Sequence, residues 1–272
     1  MKNWTGERLE TFVNTRDAIE HLHRYAIVSK YIKDKIVLDI ASGEGYGSSL
    51  MSEKASFVYG VDIDTDTVQK AKLKYKRTNL KFLTGNTSQI PIEDNSIDVV
   101  VSFETIEHHD EHDEMMIEIK RVLRPNGILI ISTPDKLYYS DERNYNNQYH
   151  IKELYKNDFV LLLAKYFSKR QVLFQKYSNG NSVIVSEENK NDLNFFLGDY
   201  SKVNEIEIDA LYIISIASDF LFEEQNTSVF DGSQLINNFI DIKLKNLYNS
   251  NTYKVGTILL APFKLLKKIL KS

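Results

Sequence analysis

Short apolar runs alternate with longer polar stretches through most of the chain, the pattern of buried strands joined by helices and loops. The runs IVLDI at 36–40, FVYGVD at 57–62, LKFLT at 80–84 and IDVVVSF at 97–103 each read as a strand. EMMIEIKRVLR at 114–124 has helical spacing and ends at a Pro-Asn-Gly turn, after which ILIIST at 128–133 reads as a fifth strand. Pro125 cannot continue a helix, because it lacks the backbone donor and its ring clashes with the preceding turn. Residues 134–150 read as a loop, and helical spacing resumes from Ile151. RQVLFQKYS at 170–178 and ALYIISIAS at 210–218 predict the last two strands, as an antiparallel pair, with the polar 179–209 between them as an insertion.

The first strand runs into the chemistry. It carries Asp39 and turns through Gly43, Gly45 and Gly47, and the second strand ends in a further acid, Asp62. Glycine lets the backbone turn tightly and lets a ligand approach it, since no Cβ intervenes. A carboxylate closing the second strand of a nucleotide-binding α/β unit accepts hydrogen bonds from a ribose diol. Together they predict a site for an adenosine-type cofactor. The dinucleotide pattern G-x-G-x-x-G would need a third glycine where Ser48 stands. Asp39 and Glu44 also place negative charge where a pyrophosphate would sit, whereas a sulfonium ligand suits an acidic loop.

These residues resemble the class I S-adenosylmethionine-dependent methyltransferases, whose first motif is an apolar strand, an acid and G-x-G-x-G. R-V-L-R-P-N-G followed by a strand, at 121–133, is similar to the same family. The resemblance implies an α/β fold with a Rossmann-like, seven-stranded, mostly parallel sheet. It places Asp39 near the methionine end of the cofactor, Asp62 on the ribose, and Asn86 at the adenine edge where the family usually has an acid. Gly43 and Gly45, with Tyr25, Ala41, Ile63, Thr87 and Phe103, complete the expected S-adenosyl-L-methionine site. TGER at 5–8 followed by EHLHRY at 20–25 resembles a branch found with bacterial surface-polysaccharide genes, which implies a capsule or O-antigen acceptor.

Three segments are expected: an N-terminal helical cap at 1–33, a methyltransferase core at 34–220, and a C-terminal helical tail at 221–272. The cap holds Trp4, Glu7 and Arg8, then a helix in which His21 and Tyr25 share one face and Glu20 and Arg24 another. As a lid, it would bring Arg24 or Tyr25 to the cofactor carboxylate. The tail from 253 to 272 has five lysines and no acid. It reads as a helix packed on its own domain or on a second subunit as a homodimer, or as a basic amphipathic segment on an anionic membrane. Pro262 would kink or start that helix, with Phe263, Leu266, Ile269 and Leu270 on one face.

Composition narrows the class further. At 272 residues with 42% hydrophobic and 26% charged residues, the chain is long enough for one substantial core. It has no cysteine, which rules out disulfides and thiolate metal sites and fits a cytoplasmic protein. Its start lacks the apolar segment of a secretory signal. A net charge of −4 and no basic patch in the core argue against nucleic acid as partner. The expected substrate is instead a small molecule or glycan precursor.

Methyl transfer to a hydroxyl needs alignment and a group that takes the proton. Glu104 and His108 follow the fourth strand, and His150 lies in the loop after the fifth; these are the catalytic candidates. HHDEHD at 108–113 could pair His108 with His112 around a metal, with Asp110 or Asp113 adding oxygen, but reads rather as a polar helix start, and no metal is expected. Two other classes are weighed: a non-catalytic cofactor-binding partner of a glycan-assembly enzyme, and an NAD-dependent sugar-nucleotide oxidoreductase. The latter lacks both its third glycine and a Y-x-x-x-K pair.

Overall fold

The structure, a computed structural model, describes residues 16–189, 193–206 and 209–269, with side chains as far as 262. Trp4, Glu7 and Arg8 lie outside the described residues, as do the side chains of Phe263, Leu266, Ile269 and Leu270. Helix α1 (Arg16–Val28) precedes β1 (Ile36–Ile40), α2 (Tyr46–Met51), β2 (Phe57–Asp62), α3 (Thr65–Lys74), β3 (Leu80–Thr84) and β4 (Ile97–Phe103). Then come α4 (His112–Val122), β5 (Leu123–Pro134), α5 (Lys156–Tyr166), β6 (Lys169–Ser178) and β7 (Asn181–Ser186). β8 (Phe195–Gly198), β9 (Val203–Ile206), β10 (Tyr212–Ser218), β11 (Ser228–Asp231), α6 (Ser233–Asn249) and α7 (Asn251–Ile269) complete the chain.

The main sheet has nine strands in the order β11-β7-β6-β10-β5-β4-β1-β2-β3. The expected Rossmann-like sheet is therefore present but larger than seven strands. β3, β2, β1, β4 and β5 are parallel neighbours, and β10, β6, β7 and β11 extend the sheet antiparallel. The strand order reverses between β1 and β4, and open α/β sheets bind ligands at the carboxyl ends beside that switch. β1, β2, β4 and the second half of β5 are buried on both faces, whereas the edge strand β3 buries only Phe82. Leu38, Ile40, Val100, Leu129 and Ile131 pack under α4 and α5, while Val37, Val58, Val99, Val101 and Ile130 pack on the α1 side.

Three local readings need correction. First, 179–209 is not one polar insertion: β7 forms a hairpin with β6, and β8 pairs with β9 in a small separate hairpin. Second, 170–178 and 210–218 do pair antiparallel as expected, but they are not the last two strands: β10 lies between β6 and β5, antiparallel to both, and β7 and β11 extend the sheet further. Third, α4 stops at Val122, and Pro125-Asn126-Gly127 lies inside an extended segment that already pairs Leu123 with Ile97. The residue before a proline is pushed toward extended backbone, which ends the helix early. The helix expected from Ile151 begins only at Lys156.

α6 and α7 stand apart from this core. α6 buries no residue, and Phe239, Ile240, Leu247, Val255, Ile258 and Leu259 are exposed on the pair. α7 runs through Pro262 instead of starting there. Among the described residues no helix is long and apolar enough to cross a membrane.

Candidate active site

A cavity of about 400 Å³ opens at the carboxyl ends of β1, β2 and β4. Its floor is the turn after β1, where Ala41 (φ 59°), Gly43 (φ 54°) and Gly45 (φ 90°) all take left-handed backbone. The non-glycine Ala41 is costly there, and such strain persists only where its surroundings fix it. Asp62 secures the turn, its Oδ2 accepting from the Gly43 amide at 2.9 Å and its Oδ1 from the Asp64 amide at 2.9 Å.

Most of the sequence-predicted cofactor residues meet on this wall: Tyr25, Ala41, Gly43, Asp62, Ile63, Asn86, Thr87 and Phe103. Asp39 and Gly45 are not among the lining residues. Asp39 sits beneath the turn, fully buried, and its Oδ2 accepts from Ser48 Oγ at 2.6 Å. Burial pushes its carboxyl up to about 7, against the pull of the Ser48 bond. Gly45 faces the opposite way, where a Cβ would lie 2.7 Å from the Phe82 ring. Gly47 makes room for Tyr25: a Cβ there would fall 2.0 Å from the tyrosine's Cζ. Tyr25 stands edge-on to both Tyr46 and Phe103, so helix α1 closes the cavity from above.

The second lid candidate goes elsewhere. Arg24 is fully buried away from the cavity, donates to Gln175 Oε1 at 2.9 Å, and lies 3.5 Å from Glu104 Oε1. Its expected helical partner, Glu20, is held instead by the Arg16 guanidinium, with both contacts at 3.1 Å.

A second cavity, of about 600 Å³, adjoins the first and shares His21, Glu104 and His108 with it. Arg16, Tyr139, Arg143, Tyr145, Asn147 and Tyr212 also line it. Sequence reasoning missed these, and it missed Tyr46, whose hydroxyl contacts His21 Nδ1 at 3.0 Å on the wall of the first cavity. The signal for Tyr139, Arg143, Tyr145 and Asn147 was the polar, tyrosine-rich stretch 138–149 after β5; Arg16, Tyr46 and Tyr212 lie outside it and had none.

The three catalytic candidates converge here. Glu104 directly follows β4 in left-handed backbone (φ 51°) and accepts from Ser132 Oγ at 2.6 Å. His108, on the 3₁₀ turn Ile106–His108, donates from Nδ1 to the Tyr149 carbonyl at 3.0 Å. His150 meets His108 edge-to-face at 5.1 Å and stacks on Tyr139 at 5.3 Å. Glu107 lies behind them, buried, accepting from Thr133 Oγ1 at 3.2 Å; burial, and then the nearby Glu104, hold its carboxyl well above the usual range. The His108–His112 pairing does not form. His112 turns inward, its Nε2 within 2.9 Å of the Ile106 carbonyl and 2.8 Å of the His109 carbonyl.

The first cavity fits an adenosine-type sulfonium. Two buried polar atoms among its lining residues, Ser42 Oγ and His109 Nδ1, have no hydrogen-bond partner among the described residues. Buried polar atoms are nearly always paired, so both suit contacts to a ligand. Asp62 would take the ribose, Asn86 and Thr87 the adenine edge, Ile63 and Phe103 its faces, and Tyr25, Tyr46 and Glu44 the cationic end.

Residues 38–131 match a family model described as a methyltransferase domain. A probable S-adenosylmethionine-dependent methyltransferase of Mycolicibacterium smegmatis is 38% identical over 128 residues, 47% of this chain and 49% of that protein. A phthiotriol/phenolphthiotriol dimycocerosates methyltransferase of Mycobacterium ulcerans is 30% identical over 118 residues, 42% of this chain and 43% of the relative. The chain thus spans about half the length of the curated relatives it matches. Among solved structures, the YcgJ protein of Bacillus subtilis superposes with a TM-score of 0.55 at 16% identity, over 72% of this chain and 97% of its own. A SAM-dependent methyltransferase of Thermotoga maritima gives 0.54 at 16% identity, over 75% and 91%. The fold is the Rossmann-like α/β fold of these solved neighbours, residues 38–131 match the methyltransferase-domain model, and the relatives similar to this part of the chain are named as S-adenosylmethionine-dependent methyltransferases.

Proposed function

We propose that this chain is an S-adenosylmethionine-dependent O-methyltransferase acting on a sugar, sugar nucleotide or phosphate-type substituent in surface-polysaccharide assembly. The supporting observation is the second, polar cavity that shares Glu104 and His108 with the cofactor cavity. When bound, the cofactor supplies an electrophilic methyl group on a sulfonium. The chain's own task is to hold an acceptor oxygen in line with it and to ease the loss of the acceptor's proton. Tyr139, Tyr145 and Tyr212 offer ring faces to a sugar, while Arg16, Arg143 and Asn147 offer donors to hydroxyl or phosphate oxygens. Glu104, His108 and His150 stand at the acceptor oxygen.

A long acyl acceptor would find few apolar side chains there, which separates this reading from the phthiotriol-type acceptor named for the M. ulcerans relative. In the same reading the tail rests on an anionic membrane surface, because residues 233–272 carry seven lysines and one acid in a chain whose net charge is −4.

The test is to incubate the full chain with labelled S-adenosylmethionine and a panel of sugar nucleotides and phosphorylated glycans. A methylated product is expected. Tight cofactor binding without turnover on any of them would favour a non-catalytic cofactor-binding partner.

A further inference from the structure

Glu107, His108 and His150 form a group in which one imidazole nitrogen from each histidine and one Glu107 oxygen all lie within 4.8 Å of one another. We infer that this group binds a divalent first-row transition cation at the junction of the two cavities. Two imidazoles and a carboxylate are the donor set that such cations prefer over magnesium or calcium. Around a cation with bonds of about 2.0–2.2 Å, donors sit roughly 3–4 Å apart. A small inward movement of these side chains would therefore bring all three donors to bonding distance and leave a position open for water or an acceptor oxygen.

The surroundings are those of ligating histidines. A metal-binding imidazole characteristically donates its other N–H to a carbonyl or carboxylate, which fixes the tautomer and raises the basicity of the ligating nitrogen. His108 Nδ1 donates to the Tyr149 carbonyl, and His150 Nδ1 donates to the Glu153 carboxylate. In each ring that leaves Nε2 to carry the lone pair. At His150 this lone pair now accepts from the Asn147 side-chain amide at 3.0 Å, the group a cation would displace. The backbone brings the distant donors together: the amides of Ile151 and Lys152 donate to the Glu107 carbonyl at 2.9 and 3.1 Å. All three donors line the second cavity, and His108 lines the first as well.

The site's role rests on the methyl-transfer reading. An acceptor hydroxyl on the cation is acidified: its O–H bond breaks, the electron pair stays on oxygen, and the proton passes to solvent. His108 and His150 then act as ligands and not as bases, which replaces the expectation of no metal.

The test uses the full chain, stripped with EDTA and titrated with Mn²⁺ and Co²⁺ by calorimetry, with Co²⁺ also followed by its visible absorption. One site of micromolar or tighter affinity is expected. His108→Ala and His150→Ala should each abolish the Co²⁺ bands, and Glu153→Gln should weaken binding about 10–100-fold. Asn147→Ala should bind at least as tightly as the parent. An unchanged circular dichroism spectrum and an unchanged urea-denaturation midpoint show that each variant is folded. No binding up to about 1 mM, or unchanged affinity in the two histidine variants, would overturn the inference. Cation binding without methyl transfer would leave the site standing and remove its assigned role; transfer unaffected by EDTA would do the same.

Discussion

The Gly43 amide donates to Asp62 Oδ2 at 2.9 Å, so the carboxylate expected to hold the ribose also fixes the turn beneath the cofactor. Asp62→Ala removes both functions. Hydrogen bonds to a charged group contribute about 1.5–3 kcal/mol each, so cofactor affinity should fall about 10–100-fold or more with the fold retained. Calorimetry beside a thermal melt checks this; parental affinity in the variant would remove the ribose assignment.

Gly47 leaves space that the Tyr25 ring occupies, with a would-be Cβ only 2.0 Å from Cζ. Gly47→Ala should push Tyr25 off the cavity wall, destabilise the chain by about 1–3 kcal/mol and weaken cofactor binding. Adding Tyr25→Leu to Gly47→Ala should recover much of the stability but not the affinity. Equal behaviour of the single and double variants in urea denaturation would contradict this account of the lid.

Arg24 is wholly buried between Gln175 and Glu104. Removing Arg24 leaves the cavity-lining Glu104 without its cation and Gln175 without its donor, at a cost of about 1–3 kcal/mol. Arg24→Gln should show that loss in urea denaturation, although the residue lines neither cavity. A loss below about 1 kcal/mol would mean that Glu104 is solvated well enough to stand alone.

Asp39 gives a pH dependence with a definite sign. Its carboxyl is raised from 3.8 to about 7 by burial, so the folded chain holds this proton more tightly than the unfolded chain. The resulting stability is fully present below pH 3.8 and is lost as pH rises through about 7. Asp39→Asn cannot ionise. The stability difference, variant minus parent, should therefore grow between about pH 4 and pH 7 and level off above; a difference constant across that range would contradict the placement of Asp39 in a dry site.

The lysine-rich tail should pellet with vesicles rich in phosphatidylglycerol and not with neutral phosphatidylcholine, in a salt-sensitive manner. Deleting 251–272 should abolish pelleting. Retention by neutral vesicles, or a concentration-dependent dimer with no vesicle binding, would point to apolar association instead.

The parallel half of the sheet and the cofactor turn were legible because their signals are local: apolar runs, glycines, and an acid closing β2. Asp39 was harder to place. Alternation along β1 sends its side chain beneath the turn toward Ser48, on the face opposite Leu38 and Ile40. β7 was hidden because its buried residues include Ser182, which reads as a loop residue in sequence. In the structure Ser182 Oγ is satisfied by His23 and Gln175, a pairing across three distant segments. The meeting of His150 with His108 was equally invisible, since it depends on the Glu107 carbonyl gripping a loop more than forty residues further along.

The central claim is that the cavity between the glycine turn and Asp62 takes S-adenosylmethionine. Calorimetric titration of the full chain with S-adenosylmethionine, S-adenosylhomocysteine and NAD in parallel tests it most directly. Micromolar binding of the first two, and none of NAD, is the predicted result. Binding of NAD alone would contradict the account and return the glycine turn to an oxidoreductase.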